Sequence, residues 1–279
     1  MTTQIYPCLW FDNQAQAAAA FYCSVFENSR ILSESSMAVQ FEIEGKKIMG
    51  LNGGPMFKIN PSISLLVTCS SEEEIARIWN RLFEGGHCMM PLDKYPWSEK
   101  YGWLVDQYGM TWQLMLGALP LGLPKIIPSL LFVGGQYGHA AEAVKDYTSL
   151  IENSDIHYLE TFGEDEPQPK GVLKFGSFSL NGAQFAAMDG FGQHEFEFNE
   201  GVSLVLECET QEEIDLHWDK LTEDGTAVQC GWLRDKYGIC WQIVPKILGE
   251  LMSDPERGSR VMQELLKMKK LDLNILLNA

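Results

Sequence analysis

Hydrophobic and polar residues along this chain alternate first with the short period of strands and then with the longer period of helices. Short apolar runs at 5–11 and 127–133 predict strands. Each run precedes a stretch with helical spacing, at 14–26 or 138–151. The two halves of the chain therefore open in the same way, with a strand followed by a helix.

A second strand–helix pair follows in each half. Apolar runs at 63–69 and 202–208 predict the strands, and Ser71 and Thr210 begin the helices, each with a glutamate three residues later. Two or three strands are expected after the first helix of each half, with a turn at 44–45 or at 181–182, of which the second is Asn-Gly, and a final hairpin closes each half. The order βαβββ thus occurs twice in each half. It predicts an α+β fold with mostly antiparallel sheets and the helices packed outside.

The second half repeats the first in sequence as well. Residues 101–115 read YGWLVDQYGMTWQLM and residues 230–244 read CGWLRDKYGICWQIV, with eight identical positions. The preceding segments 59–86 and 198–225 also align, and the first copy carries a ten-residue insertion within 87–100. Self-similarity on this scale predicts two copies of one domain.

The expected domains are 1–118 and 126–250, joined by a linker at 119–125, close to where Gly and Pro concentrate. A C-terminal helical tail is expected at 251–279. Its apolar residues at helical spacing are Val261, Leu265, Met268, Leu271 and Ile275. One helix with this apolar face would pack on the other half or on another chain.

Composition narrows the class of protein. The chain has 279 residues, of which 46% are hydrophobic and 21% are charged, so it can bury a core. The net charge of −17 is unfavourable for binding nucleic acid or an anionic membrane surface. The seven cysteines contain no CxxC spacing, and the N-terminus lacks the pattern of a signal peptide. These features predict a cytoplasmic chain without nucleic-acid or membrane partners.

Four segments carry a resemblance to a known family. They read LWFDNQAQAAAAFY (9–22), MGLNGG (49–54), CGWLRDKYGICWQIVP (230–245) and VMQELLKMKKLD (261–272). With the βαβββ order, they resemble the PhnB-like branch of the vicinal-oxygen-chelate superfamily, which includes glyoxalases and bleomycin-resistance proteins. The branch is sometimes labelled 3-demethylubiquinone-9 3-methyltransferase. The resemblance implies two tandem domains, each built from paired βαβββ modules with cupped sheets.

The resemblance also implies where a ligand would bind. Metal-dependent members hold a divalent ion in the cupped sheet through His, Glu or Gln, and Gln113 and Gln242 match the ligand position on the last strand. The other ligand positions fall near Tyr6, Asn52 and Ser62 in the first copy and near Ile127 or Pro128, Asp189 and Gly201 in the second. None of these is His, and neutral oxygens bind a divalent ion poorly. Neither a metal nor another cofactor is therefore expected.

Two other residue classes bear on this site. Trp103 and Trp232 are candidate aromatic walls for a ligand, with structural packing as the alternative. Alternation along the last strand puts Trp112 and Gln113 on opposite faces, so only the glutamine is expected to face the cavity. The five histidines share no metal-ligand spacing and are all expected on the surface or in loops: His87, His139, His157, His194 and His217.

Two functions remain from this reasoning. The first is a metal-free protein that binds a small, partly aromatic or apolar molecule, with ligand contacts from Gln113, Gln242, Asn52, Asp189, Trp103, Trp232 and Tyr6. The alternative is a metal-dependent enzyme, a glyoxalase-like isomerase or a dioxygenase, that uses Gln113 or Gln242 with Asp189. No catalytic residue is assigned, and one copy could be purely structural. We expect a monomer with an internal pseudo-dimer, or else a homodimer.

The methyltransferase label predicts a glycine-rich strand-to-helix turn beneath the cofactor. Gly134-Gly135 precedes a helix but lacks a third glycine and a parallel-strand context. The label is therefore taken as nomenclature, not as chemistry.

Overall fold

Four βαβββ units follow one another in the computed structural model, which describes residues 4–118 and 124–279. The first unit contains β1 (Ile5–Phe11), α1 (Ala15–Val25), β2 (Ser29–Glu34), β3 (Ala38–Ile43) and β4 (Lys46–Asn52). The second contains β5 (Ile63–Cys69), α2 (Glu72–Phe83), β6 (His87–Tyr95), β7 (Ser98–Val105) and β8 (Thr111–Leu116). The third contains β9 (Ile126–Phe132), α3 (Ala140–Leu150), β10 (Asp155–Thr161), β11 (Leu173–Leu180) and β12 (Ala183–Asp189). The fourth contains β13 (Val202–Cys208), α4 (Gln211–Thr222), β14 (Thr226–Ala227), β15 (Trp232–Arg234) and β16 (Cys240–Pro245).

The strands form two eight-stranded sheets, and each sheet combines one unit from each half of the chain. Sheet I has the order β14-β15-β16-β13-β1-β4-β3-β2, and sheet II has the order β10-β11-β12-β9-β5-β8-β7-β6. Within each unit the first strand pairs with the last in parallel, and the other pairs are antiparallel. The α+β class with mostly antiparallel sheets is confirmed.

Neither sequence copy forms a sheet of its own. The first strand of every unit has one edge paired within its own unit and uses its other edge to join a unit of the other copy, through β1–β13 and β5–β9. The expected boundary between 118 and 126 falls between β8 and β9, at the junction of the two copies. Of the expected linker, residues 119–123 lie outside the described part of the chain.

Helices α1 to α4 pack against one face of the two sheets and enclose the main core. The largest fully buried side chains of this core include Trp112, Trp241, Tyr22, Phe41 and Phe132. Ser71 and Thr210 accept hydrogen bonds from the backbone N–H of the glutamate three residues later, so both predicted helix starts are confirmed. The face of each sheet that points away from these helices is called its far face below.

The C-terminal tail forms three short helices, α5 (Leu248–Ser253), α6 (Gly258–Leu265) and α7 (Leu273–Leu277), and the expected single helix is wrong. After α6 the chain runs beside the start of β15, where the carbonyls of Met268 and Lys269 accept from the N–H groups of Cys230 and Gly231 at 2.8 Å. Carbonyls used in this way cannot continue a helix. The tail thus covers the edge of the fourth unit. Within the described ranges, no helix has the length and hydrophobicity that crossing a bilayer requires.

Candidate binding sites on the far faces of the two sheets

The most conspicuous sequence motif builds a turn and part of the core. Asp106 Oδ1 accepts from the backbone N–H groups of Tyr108 and Met110, and its Oδ2 accepts from Trp112 Nε1 at 2.8 Å. Gly109 takes a φ of 88°, which glycine adopts without strain. Burial raises the pKa of Asp106 to about 6, against the effect of these donors. Folding alone therefore explains the presence of Asp106, Gly109 and Trp112 in the repeated motif.

The second copy repeats this arrangement with one addition. Asp235 accepts from the backbone N–H groups of Tyr237 and Ile239 and from Trp241 Nε1 at 2.8 Å. The phenol of Tyr147 on α3 also donates to Asp235 Oδ2 at 2.6 Å. This hydrogen bond ties helix α3 of sheet II to the last hairpin of sheet I.

The residue after each core tryptophan points the other way. Trp112 and Trp241 are fully buried on the helix side, whereas Gln113 and Gln242 lie on the far faces of their sheets. The expected opposition of tryptophan and glutamine is confirmed. Each glutamine is 6% exposed or less, so neighbouring side chains on the far face cover both amides.

On sheet II the Gln113 amide is held at both ends. Its Oε1 accepts from Tyr101 Oη at 2.8 Å, and its Nε2 donates to Ser64 Oγ at 2.6 Å and lies 3.4 Å from Ser129 Oγ. Ser129 belongs to β9, so the glutamine of the first copy meets a strand of the second. The predicted partner Tyr6 is not at this site, because β1 lies in sheet I.

An apolar cluster surrounds Gln113 on the far face of sheet II. Its buried members are Tyr101, Trp103, Leu131 and Val133, and its partly buried members are Met90, Tyr95, Met115, Met188 and Phe196. Trp103 lies directly opposite Gln113 on the neighbouring strand. Among the described residues, Trp103 Nε1 has no hydrogen-bond partner. Trp103, a candidate aromatic wall, therefore lies beside Gln113.

On sheet I the corresponding residues lie in one line across the strands. Trp232 is opposite Gln242, Gln242 is opposite Val205, and Val205 is opposite Tyr6. Gln242 Nε2 donates to Ser203 Oγ at 2.9 Å. The structure thus brings together three of the predicted ligand contacts, Tyr6, Gln242 and Trp232, from opposite ends of the chain.

An ion pair on this far face was not predicted. Glu207 Oε1 accepts from Tyr6 Oη and from Lys47 Nζ, both at 2.8 Å, and the ammonium also lies 4.1 Å from the centroid of the Tyr6 ring. Burial, with the Glu207 charge as a second cause, raises the pKa of Tyr6 well above its ordinary value. The sequence signal was a single carboxylate within the apolar run 202–208.

Asn52 and Asp189 occupy equivalent positions at the ends of β4 and β12, on the helix side. Asn52 Oδ1 accepts from Ala15 N at 2.9 Å, at the start of α1. Asp189 Oδ1 accepts from the N–H groups of Gly138 and Ala140, before and at the start of α3, and its Oδ2 accepts from Leu173 N. Asp189 also lies in sheet II, so the structure does not bring it together with Gln242. Both side chains stabilise helix starts.

In the described part of the chain, the histidines belong to no group of side chains that could hold a metal ion. His217 is only 9% exposed on α4, and its expected surface position is wrong, because the apolar face of α4 extends to it. Burial lowers the pKa of His217. Across 4–118 and 124–279, no three His, Cys, Asp or Glu side chains are grouped so as to hold a metal ion.

The donors on the far faces are poorly suited to a divalent cation. Near Gln113, sheet II offers hydroxyl groups beside the amide, all neutral, and near Gln242 the carboxylate of Glu207 already pairs with Lys47. Divalent ions in proteins need several anionic or imidazole donors that converge. The metal that the superfamily implies therefore does not fit the residues present.

Comparison with known proteins agrees with the fold. The family model described as 3-demethylubiquinone-9 3-methyltransferase matches residues 3–115 and 124–244. The chain belongs to this family. The family label that the sequence resemblance implied is thereby confirmed for both copies.

One solved structure is similar to part of the chain, and another is similar to nearly all of it. The chain is 35% identical to the PhnB protein of Bacillus cereus, over 40% of this chain and 98% of that one, with a TM-score of 0.38. It is 9% identical to glyoxalase I from Zea mays, over 94% of this chain and 96% of that one, with a TM-score of 0.56. The maize enzyme shares the tandem fold along nearly the whole chain. No curated protein matches.

Proposed function

We propose that this member of the 3-demethylubiquinone-9 3-methyltransferase family binds a small, partly aromatic or apolar molecule on the far faces of its sheets, without a divalent metal. The observation that carries the proposal is the donor set around Gln113 and Gln242. By the resemblance to the superfamily, each glutamine matches a position at which the metal-dependent members have a metal ligand. Its polar neighbours here are hydroxyl groups and, on sheet I, a carboxylate that is already paired.

The lining suits an apolar or aromatic molecule. On sheet I, Trp10 packs edge to face against Trp232 at 5.9 Å and against Phe57 at 5.1 Å. On sheet II, Trp103 and Tyr101 lie beside Gln113. Small-molecule sites are commonly lined by aromatic and apolar side chains around a few polar groups. The two faces have this composition.

The metal-dependent alternative finds less support. An isomerase or dioxygenase of the chelate class would need anionic or imidazole ligands next to Gln113 or Gln242. Asp189 was the expected carboxylate, and its two oxygens accept three backbone N–H groups on the other side of sheet II. The same hydrogen bonds argue against a bound methyl donor at α3, because the carboxylate already occupies the start of that helix.

Native mass spectrometry of the full chain, purified without chelator, tests the proposal when combined with metal analysis of the same sample. We expect an organic adduct and substoichiometric metal. About one divalent ion per sheet, retained through buffer exchange, would support the chelate enzyme instead. Asp189→Asn is a useful comparison, because a residue that only stabilises a helix start should not alter the adduct.

A further inference from the structure

We infer that the far face of sheet II takes an uncharged, flat, apolar compound with a carbonyl oxygen, and that the indole N–H of Trp103 donates a hydrogen bond to that oxygen. The inference rests on the proposed function and specifies the ligand class for one of its two faces. It assigns Trp103 as the residue that selects for the carbonyl.

The first observation is an unused donor. Trp103 is 9% exposed, lies directly opposite Gln113, and its Nε1 has no partner among the described residues. Buried N–H groups nearly always have a partner, because leaving one unpaired costs free energy. The neighbouring polar groups do not compete for a ligand, since the Gln113 amide is engaged by Tyr101 and Ser64.

The second observation is that flexible side chains pack on the cluster that contains Trp103. Three of the partly buried side chains packed on the cluster of Trp103 are methionines: Met90, Met115 and Met188. Methionine is flexible and polarisable, and it is common at binding surfaces that accept varied apolar shapes. Rotation of these side chains would give a flat molecule access to the indole without movement of the backbone.

The third observation is that the polar groups next to Gln113 are uncharged. The polar groups around Gln113 are the hydroxyls of Ser64, Ser129 and Tyr101. On sheet I, by contrast, the far face carries the Lys47–Glu207 ion pair beside Tyr6. A charged ligand would lose hydration on sheet II without gaining an opposite charge there. An uncharged ligand avoids that cost.

The fourth observation is an aromatic group in the insertion that the second copy lacks. Tyr95 stacks on Trp97 with ring centroids 5.1 Å apart, and both contact Tyr101 edge to face at 5.7 Å. Trp97 is 59% exposed at the edge of the cluster. These rings provide a flat surface for an aromatic or conjugated ligand, and they belong to sheet II only.

The test uses 6-propionyl-2-(dimethylamino)naphthalene, a neutral flat ketone whose emission responds to hydrogen bonding at its carbonyl, titrated into the full chain. Trp103→Phe should weaken binding about threefold to tenfold, the range expected for one hydrogen bond. It should also shift the emission of the bound probe to shorter wavelength. N,N-dimethyl-2-naphthylamine, which lacks the carbonyl, should bind both proteins equally.

Two further variants keep the result interpretable. Trp79→Phe removes an indole from the helix side of the same unit and should behave like wild type. Replacing Trp103 by 3-benzothienylalanine keeps the ring shape without the N–H. It should show the same weaker binding and emission shift, and it replaces Trp103→Phe as the test if that variant fails to fold.

Unchanged affinity and emission in both Trp103 variants would overturn the inference, as would a loss of binding in Trp232→Phe alone. In either case the proposed function would stand, because the probe would still bind. A wild-type chain that binds neither naphthalene but carries an organic adduct by mass spectrometry would also overturn the inference alone. Absence of both probe binding and adduct would overturn the inference and the proposed function together.

Discussion

Asn60 and Asn199 occupy the same position in the two sequence copies, and each hydrogen-bonds to the loop of the other. Asn60 Nδ2 donates to the carbonyl of Glu197 at 2.8 Å, and Asn199 Nδ2 donates to the carbonyl of Lys58 at 3.2 Å. Each side-chain oxygen also accepts a backbone N–H two residues later in its own loop. This reciprocal pair links the two copies where the units of each half are connected.

We predict that Asn60→Ala and Asn199→Ala each lower the free energy of unfolding by about 1–2 kcal/mol, because each leaves backbone groups without a partner. Urea unfolding of the full chain measures this. Gln193→Ala, an exposed change in the same loop as Asn199, is the control and should have no effect. Equal stabilities of all three variants would show that the pair does not hold the copies together.

The two glutamines should differ in their effect on stability. Gln113→Ala removes the partner of the buried groups Tyr101 Oη and Ser64 Oγ, whereas Gln242→Ala removes the partner of Ser203 Oγ. We therefore expect a loss of about 1–3 kcal/mol for Gln113→Ala and a smaller loss for Gln242→Ala, at equal dependence on urea concentration. A larger loss for Gln242→Ala would contradict the hydrogen bonding described for sheet II.

Lys46 should make stability depend on pH in the alkaline range. It is 7% exposed, its Nζ lies 5.2 Å from the centroid of the Phe185 ring, and burial lowers its pKa to about 8. Between pH 8 and the ordinary pKa of 10.5, the unfolded chain binds a proton that the folded chain has lost. The free energy of unfolding should therefore rise with pH across this window. Below the window Lys46 is charged in both states, and its buried ammonium lowers the free energy of unfolding by the full amount.

Lys46→Met should abolish that rise and should stabilise the protein at pH 7 by about 1–3 kcal/mol. Unfolding in urea at pH 7, 8, 9 and 10 gives both quantities. The exposed Lys145→Met serves as the control, with a pH profile like that of wild type. Parallel profiles for wild type and Lys46→Met would refute the assignment of the effect to this ammonium group.

The pairing of the units predicts a monomer. Strand pairs β1–β13 and β5–β9 join the two copies within one chain, so both eight-stranded sheets are complete without a second molecule. Light scattering should give a mass near 31.5 kDa over a range of concentrations. A stable mass of twice that value would mean that another surface of the chain forms a dimer.

Local features of this fold could be predicted from the sequence, and long-range pairing could not. Strand 63–69, the helix starts at Ser71 and Thr210, and the opposition of Trp112 and Gln113 depend on local periodicity and capping, and the structure confirms them. Periodicity does not specify which free strand edge pairs with which, so the joining of the first unit with the fourth was not expected.

The candidate site was predictable to the same extent. The family resemblance gave Gln113 and Gln242 as candidates, and strand alternation predicted that Gln113 faces away from Trp112. Trp103 and Trp232 were candidates as aromatic residues of the repeated motif. The group of Tyr6, Lys47 and Glu207 was missed because its members lie on three strands that are far apart in sequence. In the tail, helical spacing was present, but the pairing of residues 268 and 269 with the start of β15 replaced the helix.

The most direct test of metal-free binding is to titrate 6-propionyl-2-(dimethylamino)naphthalene into the full chain before and after exhaustive treatment with a chelator. The account predicts the same dissociation constant in both samples, and no change when Zn²⁺, Ni²⁺ or Mg²⁺ is added back. Loss of binding on chelation, with recovery on addition of one divalent ion per site, would contradict it.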